Sequence, residues 1–568
     1  MATNEQFDSI LGQSMAEFSQ LQTMRAMFAS HWEEVAELVR PTSRNTFFYG
    51  NYNFPGQKKT DRQVDTRAAL ANFRFAAILD SLLTPRNMTW HMLGANSDYL
   101  MKNRQVRLWF EQATKALFKY RYAPIANFSG QNYNIWEELG AFGTGSMYVD
   151  QACDEAGRPV PGIRYKALPL GEMFLRENHQ GLICGYNRWF RLSAQQAISQ
   201  FGDKCPPRLI EQAKKYQQMP FDFLQRVTPR GDDYDPGRLD AKGKRFASYY
   251  ICLTTQEMIG EGGYRKFPCA ISRYIQTPGE VYGRSPAMLA LPSIKTINAE
   301  KRDFLTQGHR AASPVLLTGD DGSAALSLRP GAINPGFMNA DGEMMVGVLP
   351  SGNIQVSKEM MDEEGACIDG FFLVDLFKLL LNSDPKVFSA TQVVEMMSQR
   401  GILIAPTIGR QQSEYLGPLI DRELDVLVAQ HLLPPMPQML AEAKGEYTVN
   451  YTSPLSRDMR AQDVAGFNRS LETALLIVNA TQDPSPLDTF DFDTIMPEVN
   501  NINGMPESWN ASPEQVAAKR QARAEAQKRQ EAIQAAPAAA AMLKAKGATG
   551  QLPPQQQTLQ PLPAPGQQ

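Results

Sequence analysis

Gly283-Arg-Ser-Pro-Ala-Met-Leu-Ala-Leu-Pro-Ser-Ile-Lys-Thr-Ile-Asn298 and, beyond a β-like insert, Lys358-Glu-Met-Met-Asp-Glu-Glu-Gly-Ala-Cys-Ile-Asp-Gly-Phe-Phe372 are the stretches on which the fold turns. The first continues to Ala312, and Leu291, Ile294, Asn298 and Leu305 recur in it at helical spacing, one face with a polar Asn set into it. Pro286 suits a first helical turn, where its missing N–H is not needed, while Pro292 should bend the segment. The second, about 356–381, places Met361, Ile368, Phe372 and Leu379 on one stripe and Glu359, Asp362, Glu363, Glu364, Asp369 and Asp375 elsewhere. The loop Asn382-Ser-Asp384-Pro-Lys386-Val387-Phe follows, and Ser389-Ala-Thr-Gln392 reads as a capping box opening a further helix. A helix pair with a compact insert and a loop at its far end is the organising feature.

Working outward, the N-terminal third reads as helical. Phe18, Leu21, Arg25, Phe28, Trp32, Val35 and Val39 follow a 3-4 rhythm until Pro41. Val64, Ala68, Ala71, Phe75, Ile78 and Leu82 repeat it, as do Val106, Phe110, Ala113, Leu117 and Tyr120. A fourth helix from about Asn127 closes on Gly140-Ala-Phe-Gly143-Thr-Gly145, where a turn with φ > 0 is expected. From Ser146 to about Tyr282 short β-like runs take over, with brief helices near Ser193–Phe201 and Pro207–Gln217. Another helical stretch runs from Thr407 to Leu433, before Pro434-Pro435. Residues 512–533 read as a polar helix carrying Lys519, Arg520, Arg523, Lys528 and Arg529, for which a solvated face is a sufficient explanation. The Ala-, Pro- and Gln-rich end, above all 551–568, is expected to be disordered.

Composition removes several classes. A chain of 568 residues holds roughly three to five domain-sized units. Its net charge of −3 does not suit a polycation built to clamp nucleic acid. The start Met1-Ala-Thr-Asn-Glu has no signal-peptide pattern, and the most apolar run, 371–381, is interrupted by Asp375 and Lys378, so no membrane segment is expected. Six Cys without a C-x-x-C pair point to reduced thiols in a cytosolic maker.

The search for chemistry finds little. There is no G-x-x-x-x-G-K-[ST] phosphate loop, and Gly143-Thr-Gly-Ser146 leads into a strand rather than a helix. His31, His91, His179, His309 and His431 are scattered, without zinc spacing, and read as structural. The carboxylates of 359–369 lack a Gly-punctuated calcium loop. No catalytic, metal or cofactor site is expected.

Several pieces, taken in order, resemble the portal, or head-to-tail connector, proteins of short-tailed (podovirus-type) bacteriophages. They are Trp32 to Pro41; Asp65-Thr-Arg-Ala-Ala to Leu83-Thr-Pro-Arg and Trp90-His-Met-Leu; Leu139-Gly-Ala-Phe-Gly-Thr-Gly; Tyr282-Gly-Arg-Ser-Pro-Ala through Asn298; Ser389-Ala-Thr-Gln-Val; and Tyr415-Leu-Gly-Pro-Leu-Ile. The family has Glu after the capping-box Thr, where this chain has Gln392.

The resemblance implies an α+β portal fold, mainly helical with a β-rich wing and a small β clip. It implies a ring, usually of twelve subunits, at one capsid vertex, through which a separate terminase packages double-stranded DNA. On this sequence it gives a wing at 1–284, stem helices at 285–312 and 356–381 and a clip at 313–355. A tunnel loop at 382–389, returning wing helices at 390–455, a crown at 456–535 and a tail at 536–568 complete it. Asp384, Lys386 and Val387 would face DNA from the tunnel loop, and Glu359, Asp362, Glu363 and Asp369 from the stem. The implied partners are further copies of the chain, the terminase large subunit, major capsid and scaffolding proteins, a tail adaptor and internal core or ejection proteins. An acidic stem suits DNA that must slide, because each phosphate neutralised by Lys or Arg adds salt-sensitive affinity. The competing readings are another virion structural or scaffold protein without a channel, and a packaging enzyme; the latter needs a phosphate loop or carboxylate cluster that the sequence lacks.

Overall fold

The structure, a computed structural model, describes residues 4–48, 56–318, 326–350, 354–375, 405–502, 505, 509–511 and 514–530, less positions 156, 232, 340, 444 and 453. The chain divides into a unit Met1–Gly504 and a unit Met505–Gln568.

In the first unit, α1 (Asn4–Leu38) is the first periodic run, and its stripe of Phe18, Leu21, Arg25, Trp32 and Val35 is buried. Arg25 lies in that stripe because it has backbone to hold. Its guanidinium donates to the carbonyls of Leu170, Gly171, Met173 and Phe47 and lies 3.7 Å above the Phe174 ring. Burial lowers its pKa to about 10, so it stays charged near neutrality. The next elements are α2 (Arg67–Leu83), β1 (His91–Gly94), α3 (Asp98–Lys102), α4 (Arg104–Arg121) and α5 (Phe128–Phe142). The buried face of α2 runs through Ala71, Phe75, Leu79 and Leu83, one residue beyond the expected Ile78 and Leu82. Gly140 of α5 sets that rotation: a Cβ there would come within 2.2 Å of Asn72 and 2.8 Å of Phe75.

Two antiparallel sheets follow. The first joins β2 (Thr144–Cys153), β3 (Pro159–Leu168) and β9 (Cys269–Arg273) in the order β3-β2-β9. The second is a meander of β4 (Met173–Glu177), β5 (Ile183–Ser193), β6 (Pro220–Pro229), β7 (Phe246–Cys252) and β8 (Glu257–Tyr264). Side-chain alternation sends its two faces to different cores. Phe190, Phe221, Phe223 and Cys252 pack under α6 (Ala194–Phe201) and α7 (Pro207–Lys215). Trp189, Leu224 and Ile251 pack with Phe18 and Leu21 of α1.

The chain then enters α8 (Pro286–Ala312), a two-stranded ladder of β10 (Leu316–Thr318) and β11 (Val346–Val348), and α9 (Ile354–Phe371). The second periodic segment is therefore not one helix to 381. It ends at Phe371, and Leu373 takes φ 60°. The turn carries Phe372 into the core, fully buried with its ring 6.1 Å from Phe75, and two glycines, Gly365 and Gly370, weaken the helix ahead of it. Residues 405–429 are helical, with a π turn at Gln411–Leu416 where Pro418 removes a donor from the ladder.

In the C-terminal part a helix begins at Pro454, and the first unit ends at Gly504. The helices Pro454–Thr481 and Phe492–Ile502 belong to the first unit, and Phe467 of the former meets Phe490, in the turn before the latter, edge-on at 5.8 Å. In the second unit, the helix over 514–530 is exposed along nearly its whole length, as its polar composition requires.

Candidate ring-contact and channel elements

The quoted sequence pieces converge on the base of the α8–α9 pair. Gly143 closes α5 with φ 76°, and a Cβ on it would lie 2.4 Å from the Gly283 carbonyl oxygen. One on Gly283 would lie 2.3 Å from the Gly143 oxygen, so the two backbones touch where only glycine fits. Gly283 N donates to Thr144 Oγ1 at 2.9 Å. Ser285 caps α8 by accepting from Met288 N at 2.9 Å while its hydroxyl donates to the Ala141 carbonyl at 2.8 Å. Tyr282 packs edge-on to Trp32 at 5.0 Å and accepts from Leu175 N at 3.0 Å.

Asn298, the polar residue in the first stripe, latches the segment before α2. Its Oδ1 accepts from Val64 N at 2.7 Å and Asp65 N at 3.1 Å, and its Nδ2 donates to the Arg62 carbonyl at 3.2 Å. Arg67, on the first turn of α2, pairs with Asp369 at 3.0 Å across Gly365, whose missing Cβ leaves room for the guanidinium.

Above this base the helices leave the core. The first half of α8 buries Ala287, Met288, Ala290, Leu291, Ile294 and Ile297, whereas no residue from Asn298 to Ala312 is buried. That half is about 22 Å long at 1.5 Å per residue. The helices run antiparallel, as two cross-contacts show: Ser293 Oγ to Cys367 Sγ at 3.7 Å, and Ser357 Oγ to Gln307 Oε1 at 3.3 Å. Leu305, expected on the packed face, is 46% exposed. The tip is held by β10–β11 and by paired bonds between Ser327 and Asn334. It presents Leu328, Ile333, Met338, Met344 and Met345 to solvent, Ile333 at 91%.

Of the expected channel residues, Glu359, Asp362 and Glu363 are exposed on α9. Asp369 is not: it is buried against Arg67 and serves the anchor, because the helix face it shares with Gly365 is turned to α2. Asp384, Lys386 and Val387, with the capping box Ser389–Gln392, lie outside the described residues.

Sequence reasoning missed a buried ionic centre that ties four elements together. Arg121 of α4 donates through Nε to Glu423 Oε1 at 3.0 Å, and both side chains are fully buried. Tyr165 donates to the same oxygen at 2.6 Å, and Arg121 Nη2 donates to His91 Nε2 at 2.8 Å, which leaves the His91 proton on Nδ1. Burial, then the Arg121 charge, holds His91 well below its usual pKa. The only sequence signal was Arg121 following an apolar stripe. Among the described residues, no three His, Cys, Asp or Glu side chains are grouped to hold a metal, and no helix is long and apolar enough to cross a membrane.

Solved structures similar to this chain include "Virion of native gene transfer agent (GTA) particle", at TM-score 0.32 and 12% identity over 70% of this chain and 84% of that one. Another is "Neck of native GTA particle computed with C12 symmetry", at TM-score 0.34 and 14% identity over 71% and 86%. Among curated proteins, the "Probable portal protein" of Bordetella phage BPP-1 is 26% identical over 90% of this chain and 91% of its own length. The "Portal protein" of Salmonella phage epsilon15 is 23% identical over 90% of each. Residues 12–509, which take in most of α1, all of α2 to α9 and the tip between α8 and α9, match the family described as bacteriophage head to tail connecting protein, and the chain belongs to that family.

Proposed function

We propose that copies of this chain close into a portal ring at one capsid vertex, through which a terminase drives double-stranded DNA and through which the DNA later leaves. One observation carries the ring. The α8–α9 pair projects from the core and ends in a tip whose Leu328, Ile333, Met338 and Met344 are 62–91% exposed in the single chain. Apolar surface so concentrated marks a contact site, and further copies of the chain supply the contact. Among the described residues, the outer edges of β10 and β11 pair with no other strand and offer backbone groups for the same purpose.

In this reading Glu359 and Asp362 turn toward the channel, where their charge keeps the duplex from adhering, and Asp384, Lys386 and Val387 form its narrowest ring. The chain acts as a connector without turnover of its own. Capsid, scaffolding, tail-adaptor and internal core or ejection proteins are its other partners. It is made in the cytoplasm of the host bacterium and resides in the virion. Electron micrographs of the purified chain test the proposal: closed rings with a central hole are expected, and a chain that stays monomeric at every concentration and salt would overturn it.

A further inference from the structure

The α8–α9 pair has two flanks, and they differ. Ser293–Cys367 and Gln307–Ser357 fix the seam between the helices, and Glu300 lies in it close enough to Glu364 for the two to repel. Burial, then that repulsion, raises the Glu300 carboxyl. At about 100° per residue, Asn298 and Asp369 then fall on one side of the pair, the side that α2 occupies through their bonds to residues 62–67. Continuing up that side, above α2, are Lys301, Leu305 and Lys358. The opposite side carries Asp303, Val356, Met360 and Glu363. Arg310 joins this second side only near the tip, and Asp362 faces away from α8. Leu305, Val356 and Met360 are each about half exposed, at 46%, 49% and 50%. One flank is thus a leucine between two lysines, and the other an apolar pair between two carboxylates.

We infer that neighbouring copies meet along these flanks, Leu305 of one against Val356 and Met360 of the next, with Lys301 and Lys358 facing Asp303 and Glu363. The inference rests on the ring reading above and adds which surfaces meet. A closed ring needs two different, mutually complementary faces on each copy, and these two match in both apolar content and charge. Apolar seams edged by opposite charges set partner and register between helices in the same way. Glu359 and Asp362, both turned away from α8, remain free for the channel.

Charge exchange tests the pairing in the full chain. Lys301→Glu with Lys358→Glu is one variant, Asp303→Lys with Glu363→Lys a second, and all four changes together a third. All four positions are solvent-accessible, so each variant should keep the wild-type circular dichroism. Each double variant is expected to lower the ring fraction in micrographs at least about tenfold, the scale of a 1.4 kcal/mol loss per contact. The quadruple variant, whose charges again match, is expected to restore it. Rings undiminished in the double variants would overturn the inference and leave the ring standing. Rings lost in the doubles and not restored in the quadruple would overturn the pairing of these flanks. A wild-type chain without rings would instead remove the proposed function.

Discussion

Arg25 and His91 show what single buried polar side chains do here. The Arg25 guanidinium serves four carbonyls drawn from two turns, near residues 47 and 170–173, that α1 must bring together. Arg25→Met keeps the length and removes every donor, and the expected cost is about 3 to 5 kcal/mol, the range for stranding buried partners of a charged group. A fall in the melting temperature without loss of helix content at low temperature checks it. His91 makes stability depend on pH. Its folded pKa lies below the unfolded value of about 6.5, so its contribution is complete above that pH and is lost as pH falls, because only the unfolded chain takes up the proton. His91→Gln keeps an acceptor for Arg121. The stability difference between wild type and this variant is expected to shrink by up to about 1.4 kcal/mol per pH unit below 6.5 and to be flat from 7 to 8. Denaturant titrations at several pH values measure that difference. Both residues stood in the sequence as oddities, an Arg in an apolar stripe and a lone His, but their partners are 22 to 148 positions away, beyond any periodic pattern.

At the scale of elements, helices were legible wherever a stripe faces one core, as in α1, α4 and α5. They were less so where one helix serves two environments. In α8 the stripe through Leu291 and Ile294 is buried, but the same stripe at Leu305 meets solvent once the helix leaves the core. The end of α9 was misread because an apolar run continues the helical period past Phe371, although the chain turns there to bury Phe372. Asn298 was visible as a polar interruption, and only the structure gives it work, the latch on residues 62–65. Asn298→Ala strands two backbone donors and one acceptor at the base of the pair. A loss of about 1 to 3 kcal/mol is expected, with faster amide exchange at Val64 and Asp65 measured by mass spectrometry. Unchanged exchange there would mean the latch is not what orders the segment.

For the whole molecule, the sequence carried the family through the order of its pieces, and the structure supplies the reason for that order. Gly143 meets Gly283, Ser285 meets Ala141 and Asn298 meets Asp65, so pieces far apart in the chain build one joint beneath the α8–α9 pair. The polar run from 512 could be set apart in the sequence because it has too few apolar residues to fold alone, and the boundary between the two units falls at Gly504, a few residues before it. The family match ends at residue 509, and the helix over 514–530 is exposed nearly throughout. Burial is what makes a segment count toward stability, so this helix contributes little to folding of the first unit. A chain ended after residue 511 is therefore expected to melt within about 2 °C of the full chain, the scale of a change well under 1 kcal/mol in a protein of this size. It should also give rings of the same diameter in micrographs, since the exposed tip and both flanks of the α8–α9 pair are untouched. A lower melting temperature together with lost rings would instead make residues 512–568 part of the assembled connector.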